Sequence, residues 1–386
     1  MRDESATYRD QLDSPQETTS YRLVAKLMAR ADIRLGGGRP WDMQIHDPTV
    51  PDQILARGSL GLGESYMDGG WDAKRLDEFF YRLLRNGLDE HVRPLNLLFH
   101  AVRTRLFNLQ NAKRAWQVGK VHYDLGNDFY QAMLDPRMTY TCGYWKEADN
   151  LADAQEAKLD LICKKLDLKP GMRVLDIGCG WGSFMGFAAE HYGVECVGVT
   201  ISKEQTRWGQ ERYQHLPIEF RLQDYRHVDE SFDRIVSVGM FEHVGRKNYR
   251  TYMEVAHRCL KEDGLFLLHT IGKNANTPGA DPWINKYIFP NGELPSIGQI
   301  GDSLDELFVV EDLHNFGADY DKTLMAWHAN FEAAWPDFAD KLGKRFYRMW
   351  RYYLQACAGA FRSRDLQLWQ WVLSRQGLVG GYQRVT

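Results

Sequence analysis

The apolar run "IVSVGM" at residues 235 to 240 gives way to Phe241, Glu242 and His243, so a carboxylate and an imidazole stand where a buried strand leaves the core. A carboxylate at such a point can anchor a polar ligand or accept a proton. In extended backbone neighbouring side chains face opposite ways, so His243 is expected to point away from Glu242 and to be structural. A second constellation is "VLDIGCGWG", residues 174 to 182, which sets Gly178, Gly180 and Gly182 after an apolar strand and before a helix. Glycines there permit a tight turn and close backbone approach to a ligand, and the helix N-terminus offers free N–H groups. The glycine pattern alone fits a dinucleotide fold equally well. Asp176, two residues before the first glycine, and Gln223 and Asp224 in "LQDY", just beyond the third strand, favour S-adenosylmethionine. A carboxylate in the latter place can accept from an adenine amino group. The second strand ends in "VTISKEQ" and not in an acid, which leaves the ribose to Thr200 and Gln205.

These residues need a sheet to hold them. After Lys169 strands and helices alternate: "RVLDIG", "CVGVTIS", "IEFRLQD", "FDRIVSVGM" and "GLFLLHTIG" read as strands of an open, doubly wound, mostly parallel sheet. Ligands of such sheets bind at the carboxyl edge, where Glu242 and His269 both lie, so the two are expected to meet across one small pocket. The turn-forming stretch "DPWINKYIFPNGELPS" reads as an insertion over that edge, a lid.

The first 91 residues read as a separate small domain without a catalytic constellation. Residues 1 to about 20 are polar, "YRLVAKLMARADIRLGGG" reads as a helix closed by glycines, "GSLGLGESYMDGGWD" as a glycine-punctuated loop, and "RLDEFFYRLL" as a helix. From His91 to Tyr123 there is no acid, whereas Arg93, Arg103, Arg105, Lys113, Arg114 and Lys120 are positive. Leu95, Leu98, Val102, Leu106 and Leu109 recur at helical spacing with Arg103 and Arg105 on the flanks. Two readings stand for this 92–115 linker: an amphipathic helix that meets a lipid surface, or a helix packed on a domain with solvated arginines. Residues 116–386 form the remaining, larger domain.

A net charge of −4 and a pI near 6.3 exclude a globally basic protein built to coat nucleic acid. The polar start has no signal-like apolar core, and no run nears the ~18 apolar residues of a membrane span, so a cytoplasmic protein is expected. The six cysteines form no C-x-x-C pair and no zinc-like cluster, which points to reduced thiols and no metal.

Upstream stands "HYDLGNDFYQAMLDPRMTYTCGYW", residues 122 to 145. With "VLDIGCGWG", "GVTISKEQ", "LQDYR", "VGMFEHVG", "LLHTIG", "DPWINKYIFPNGELPS", "NFGADYDKTLMAW" and "ACAGAFRSRDLQLWQ" it makes the chain resemble the cyclopropane-fatty-acyl-phospholipid synthases, relatives of the mycolic acid cyclopropane synthases. The motifs cover most of 116–371, and "GSLGLGESYMDG" extends the likeness into the first domain. The resemblance implies an α/β class I S-adenosylmethionine-dependent methyltransferase fold, Rossmann-like, with a mostly parallel seven-stranded sheet and a smaller N-terminal domain. It implies methylene transfer to cis double bonds of unsaturated phospholipid acyl chains. It further implies bicarbonate as a base, held by Cys142, Glu242, His269, Ile271 and Tyr320. Under that implication Glu242 is an anchor for the ion; Glu242 as the base itself is the competing version. Tyr140 and Thr141 are placed by the resemblance at the methionine end of the cofactor. Cys357 has two readings, buried packing or a catalytic part.

The chemistry independently asks for such a set. An alkene has no lone pair, so methylation leaves a carbocation on the chain, and ring closure requires removal of a proton from the new methyl group. Such a site must exclude water and hold a base close by. Trp145, Trp181, Trp283, Tyr287, Phe289 and Tyr320 lie near the motifs, as cation shields or ordinary lining. Moving about ten methylenes from lipid into water costs roughly 8 kcal/mol, so the enzyme is expected at the membrane surface, on its inner face. Two weak anchors act together in a homodimer formed through the first domain. Two rivals remain: an S-adenosylmethionine-dependent N-methyltransferase of a small amine, and a non-catalytic lipid- or cofactor-binding protein. Glu242, His269 and Tyr320 together argue against the first, the intact glycine loop against the second.

Overall fold

The computed structural model describes residues 18–88, 125–277 and 279–385. The basic 92–115 linker, most of the polar start and the first residues of "HYDLGND" lie outside the described residues.

The first part of the chain is helical: α1 (Thr19–Ala29), α2 (Val50–Arg57), α3 (Ser59–Met67) and α4 (Leu76–Arg85), with a two-residue ladder between β1 (Gln44–Ile45) and β2 (Trp71–Asp72). α1 starts where the Thr18 hydroxyl accepts from the Tyr21 N–H, and it stops at Arg30, before the glycines at 36 to 38. The larger departure from the sequence reading is α3: within "GSLGLGESYMDGG" the residues "SLGLGESYM" are a helix and not a loop. Its glycines serve close packing. A Cβ on Gly61 would lie 2.0 Å from the Gln53 carbonyl oxygen, and one on Gly63 would lie 2.2 Å from the Trp283 ring. Gly58, at φ 57°, separates α2 from α3, and Gly69, at φ 82°, turns the chain after α3.

The rest is the doubly wound sheet. α5 (Asn127–Met133) and α6 (Leu151–Lys165) lead into β3 (Arg173–Ile177), α7 (Ser183–Tyr192), β4 (Glu195–Thr200), α8 (Lys203–Arg212), β5 (Ile218–Leu222), β6 (Phe232–Val238), α9 (Tyr249–Cys259) and β7 (Leu260–Lys273). After the short α10 (Pro282–Tyr287) and α11 (Ile297–Leu304), β8 (Val309–Asn315) and β9 (Leu366–Ser374) complete seven strands in the order β5-β4-β3-β6-β7-β9-β8. All neighbours from β5 to β7 are parallel, and β9 runs antiparallel between β7 and β8. This is the expected class I methyltransferase fold. Both faces are covered by helices, which is why β4 and β7 read as near-continuous apolar runs. Winding reverses between β4 and β6 around β3, so the ligand crevice opens at the carboxyl ends of these strands.

Between β8 and β9 the helical run Ala318–Ser363 breaks at Gly343 (φ 74°, ψ 164°). Phe331 and Tyr347 stack with centroids 5.7 Å apart, whereas sixteen residues of straight helix would separate them by roughly 24 Å. The run is therefore a hairpin of two helices, 318–342 and 344–363. It binds the first part of the chain tightly: a Cβ on Gly359 would lie 2.7 Å from Phe80 Cβ, and Arg362 reaches Asp77, Glu78 and Asp321. One apolar core runs from Val24, Tyr66, Trp71 and Phe79 through Trp283 to Phe129, Trp327 and Trp350.

Candidate active site

The turn after β3 divides its three glycines between two tasks. Gly180 (φ 54°) is open: a Cβ there would meet nothing nearer than Gln205 Nε2 at 4.0 Å. Gly178 (φ 87°) lies against Met240, and a Cβ on Gly182 (φ 84°) would strike Phe220 at 2.4 Å. Gly182 thus lets α7 close onto the sheet and does not line the cavity, whereas Gly178 and Gly180 do. Asp176, buried at the end of β3, faces the same cavity, and burial lifts its carboxyl to about 7 against the pull of Lys158. Thr200 Oγ1 donates to Gln205 Oε1 (3.2 Å) and accepts from the Ser202 N–H (3.2 Å), which fixes both side chains on the wall. Gln223 and Asp224 follow on the next strand end. Asp224 accepts from the Arg226 backbone N–H (3.0 Å), Nε (2.9 Å) and Nη2 (2.6 Å). Burial pushes this carboxyl up, but the bonds to Arg226 outweigh it and hold the group below its ordinary value. Of its roughly four acceptor positions one is left for a ligand.

At the end of β6 the chain does not stay extended. Phe241–His243 form one turn of 3-10 helix, so His243 also borders the cavity, its ring edge-on to Phe289 at 5.9 Å. The extended-backbone expectation for His243 fails for that reason. Burial draws its imidazole down to about 4, so it is neutral at physiological pH. Glu242 Oε1 accepts from the Ile271 N–H at 2.7 Å, while Oε2 has no partner among the described residues, and burial raises the carboxyl to about 7.

His269 points from the same face of β7 as Ile271, two residues on. Its Nδ1 lies 3.2 Å from Gln370 Nε2, and its Nε2 has no partner among the described residues. Burial, then the charges of Lys158 and Lys165, hold this imidazole far below its ordinary value. Tyr320 lines the cavity; burial and then Cys142, Glu242, Tyr140 and Cys357 push its phenol well up, which makes these groups electrostatic neighbours. Cys142 is fully buried, its thiol donating to the Gly143 carbonyl (3.1 Å) and raised by burial. Cys142 and His269 stand behind the cavity wall, Cys357 on it with a thiol lifted to about 12 by burial. The Tyr140 and Tyr353 hydroxyls lie 3.0 Å apart, and Thr141 is next along the wall.

Two residues were not singled out from the sequence. Lys158 is 1% exposed, and its Nζ donates to Thr141 Oγ1 (2.9 Å). Burial lowers its ammonium to about 8, opposed by Asp135, Cys142 and Asp176. Gln155, one turn earlier, donates to the Thr141 carbonyl (2.7 Å). The signal was present, since Leu151, Gln155, Lys158, Leu159 and Ile162 share one face of α6.

The cavity, about 1220 Å³, extends well beyond these groups. Its far limb is apolar and is built by the first part of the chain: Val24, Leu27 and Met28 of α1, with Leu83, Leu84 and Leu88 at and beyond the end of α4. The stretch 281–292 forms another wall with Trp283, Ile284 and Phe289. It is tied to α3, because Glu64 accepts from Lys286 Nζ (2.6 Å) and the Tyr287 hydroxyl (2.8 Å) and pairs with Arg57.

The model of the family "mycolic acid cyclopropane synthetase" matches residues 110–371. Among curated proteins, the cyclopropane-fatty-acyl-phospholipid synthase of Escherichia coli (strain K12) is 58% identical over 356 residues, 92% of this chain and 93% of that protein. Among solved structures, mycolic acid cyclopropane synthase CmaA1 complexed with SAH and CTAB has 35% identity and a TM-score of 0.64, over 67% of this chain and 98% of that one. Coclaurine N-methyltransferase bound to N-methylheliamine and SAH has a TM-score of 0.67 at 21% identity, over 81% of this chain and 99% of that one, a likeness of fold alone. The matched stretch contains every residue of the strand-edge cluster from Cys142 to Tyr320, and the chain belongs to the mycolic acid cyclopropane synthetase family.

Proposed function

We propose that this protein is an S-adenosylmethionine-dependent cyclopropane fatty acid synthase acting on cis double bonds of unsaturated phospholipid acyl chains. The relative at 58% identity is named a cyclopropane-fatty-acyl-phospholipid synthase, which supports this reading. The observation that carries the reading is the single cavity that joins the glycine turn after β3, the Glu242 edge and an apolar limb with room for an acyl chain. The first of these fits the cofactor: Gly180 leaves open space, Asp176 and Lys158 supply buried charge, and Thr200, Gln205, Gln223 and Asp224 supply polar contacts. Bound there, S-adenosylmethionine supplies a methyl group that moves from sulfonium sulfur to an alkene carbon, breaking the C–S bond and leaving a carbocation on the acyl chain.

Bicarbonate is the proposed acceptor of the proton that the new methyl group then loses as the ring closes. Two buried polar atoms without hydrogen-bond partners among the described residues, Glu242 Oε2 and His269 Nε2, support an additional small polar occupant. Glu242 would accept from the hydroxyl of such an ion, the Tyr320 hydroxyl, His269 and the Cys142 N–H would donate to its oxygens, and Ile271 contributes by fixing the carboxylate through Oε1. Tyr140 and Thr141 are proposed for the methionine end of the cofactor. Cys357, protonated, serves as apolar wall.

No described helix is long and apolar enough to cross a membrane. We assign the first 91 residues and the 92–115 linker to peripheral association with the inner face of the membrane and to a homodimer, which lets the acyl chain enter the apolar limb without crossing water. The test is incubation with vesicles of unsaturated phospholipid and labelled S-adenosylmethionine, with mass analysis of the lipids. Gain of one CH₂ with loss of the double bond supports the reading; label in a small amine and none in lipid removes it.

A further inference from the structure

The antiparallel strand β9 lies between β7 and β8, and its register sets Gln370 opposite His269 on one side and His314 on the other. Paired residues share a sheet face, so the three side chains form a row behind the cavity. Gln370 is 0% exposed and His269 1%. A glutamine buried so completely is costly unless its amide is used; among the described residues its side chain makes one hydrogen-bond contact, from Nε2 to His269 Nδ1 at 3.2 Å, and its Oε1 makes none. His314 makes no side-chain hydrogen bond to Gln370 among the described residues; its Nδ1 meets Lys165 Nζ at 3.0 Å.

Two arrangements of the pair are chemically possible, since hydrogen positions and amide direction follow from the network. If the amide nitrogen faces the ring, it donates to Nδ1 and the single proton of the neutral imidazole sits on Nε2. If the amide oxygen faces the ring, Nδ1 carries the proton and Nε2 is a bare lone pair. The second proton that would satisfy both nitrogens is disfavoured, first because burial penalises the charged ring and then because Lys158 and Lys165 stand near it. Nε2 is the ring atom left without a partner among the described residues, as is Glu242 Oε2 at the neighbouring strand end. A bare nitrogen would add an acceptor to a place that already holds an acceptor-rich carboxylate. An N–H there supplies the missing donor.

We infer that Gln370 sets the tautomer of His269: its amide nitrogen donates to Nδ1, commits the ring proton to Nε2, and makes His269 a hydrogen-bond donor to the bound anion and not a proton acceptor. Gln370 is thus a positioning residue that acts through His269. The donor's target rests on the bicarbonate reading above; the tautomer does not. The same geometry explains why glutamine and not glutamate suits this place, since a carboxylate would accept from Nδ1 and turn the ring the wrong way.

The test uses the full-length protein labelled with ¹⁵N-histidine, with the His269 signals identified by their loss in His269→Asn. In the wild-type protein the spectrum is expected to show a protonated Nε2 and a bare Nδ1. Gln370→Glu is expected to invert that pattern and to raise the bicarbonate concentration for half-maximal turnover by about tenfold or more, the scale of one hydrogen bond to a charged group. Its KM for S-adenosylmethionine is expected to stay within about twofold. Protonated Nδ1 in the wild type overturns the inference, and this spectrum decides the matter even if Gln370→Glu does not fold. Unaltered tautomer and bicarbonate dependence in a folded Gln370→Glu protein overturn it as well. A protonated Nε2 together with turnover indifferent to bicarbonate upholds the tautomer and removes the bicarbonate reading instead.

Discussion

Glu242 gives one carboxylate oxygen to the Ile271 N–H at 2.7 Å and keeps the other unpartnered among the described residues, so the side chain is fixed by one strand end and free to serve the space beside it. Glu242→Gln keeps the shape and, in one amide orientation, the acceptor facing Ile271, but places an amide NH₂ where an acceptor stood. Ring formation is expected to fall by ~100-fold or more, the scale of a lost proton-transfer or oxyanion contact. Binding of S-adenosylhomocysteine, read by calorimetry, is expected to change by less than about threefold. Unchanged turnover contradicts the role given to Glu242.

The same residue makes a stability signature. Its carboxyl rises from 4.5 to about 7 in the folded chain, so between those values the folded state holds more protons than the unfolded one. Stability contributed by this group is therefore fully present below about 4.5 and lost as pH rises through about 7. Glu242→Gln has no such loss and is expected to gain on the wild type by on the order of 3 kcal/mol across that window, as read by urea melts at several pH values. Equal pH dependence of the two proteins contradicts the burial cost.

Asp77 is buried completely and accepts from Arg75 (2.8 and 2.7 Å) and from Arg362 (2.8 Å), which hold its carboxyl down at about 2. Burial is the largest single influence and works the other way, and the two arginines together outweigh it. Its contribution is present above the ordinary value of 3.8 and disappears as pH falls through about 2. Arg362→Met removes the tie between α4 and the hairpin and is expected to cost about 3 kcal/mol at neutral pH in a urea melt. A loss below about 0.5 kcal/mol would show that the pair is screened like an exposed one.

Gly63 and Gly180 separate packing from ligand contact. Gly63→Ala places a methyl group 2.2 Å from the buried Trp283 ring. It is expected to cost about 1 to 3 kcal/mol and to lower lipid turnover by disturbing the 281–292 wall, with S-adenosylhomocysteine binding retained. Gly180→Ala meets open space, at φ 54°, and is expected to cost only about 1 kcal/mol while weakening cofactor binding at least tenfold. The reverse pattern in melting and calorimetry contradicts the assignment of these two glycines.

The parallel sheet and the glycine turn were legible in the sequence because strands covered on both faces leave continuous apolar runs and punctuate them with turn residues. α3 was not, because Gly61 and Gly63 carry the signs of a loop while their reason, the Gln53 carbonyl and the Trp283 ring, lies in other segments. His243 was misread for a local cause: the chain turns into a 3-10 helix one residue before Glu242. Lys158 escaped notice because a lysine on a helix ordinarily faces water, although it shares the buried face of α6; Thr141 and Asp176 behind it account for the exception. The apolar limb was hidden because periodicity shows that α1 and α4 have an apolar face but not what covers it.

That limb belongs to the reaction if the acyl chain occupies it. Leu84→Glu puts a carboxylate on its wall and is expected to reduce turnover on phospholipid vesicles by about tenfold or more while S-adenosylhomocysteine binding is unchanged. Full activity on vesicles would place the lipid elsewhere.

The most direct measurement of the central claim uses S-adenosylmethionine carrying a CD₃ methyl group, vesicles of cis-unsaturated phospholipid, and mass analysis of the acyl chains. The account expects chains that have lost their double bond and gained CD₂, one deuteron of the three having left with the base. Chains that keep all three deuterons, or lipids that gain no label while the cofactor is consumed, would contradict it.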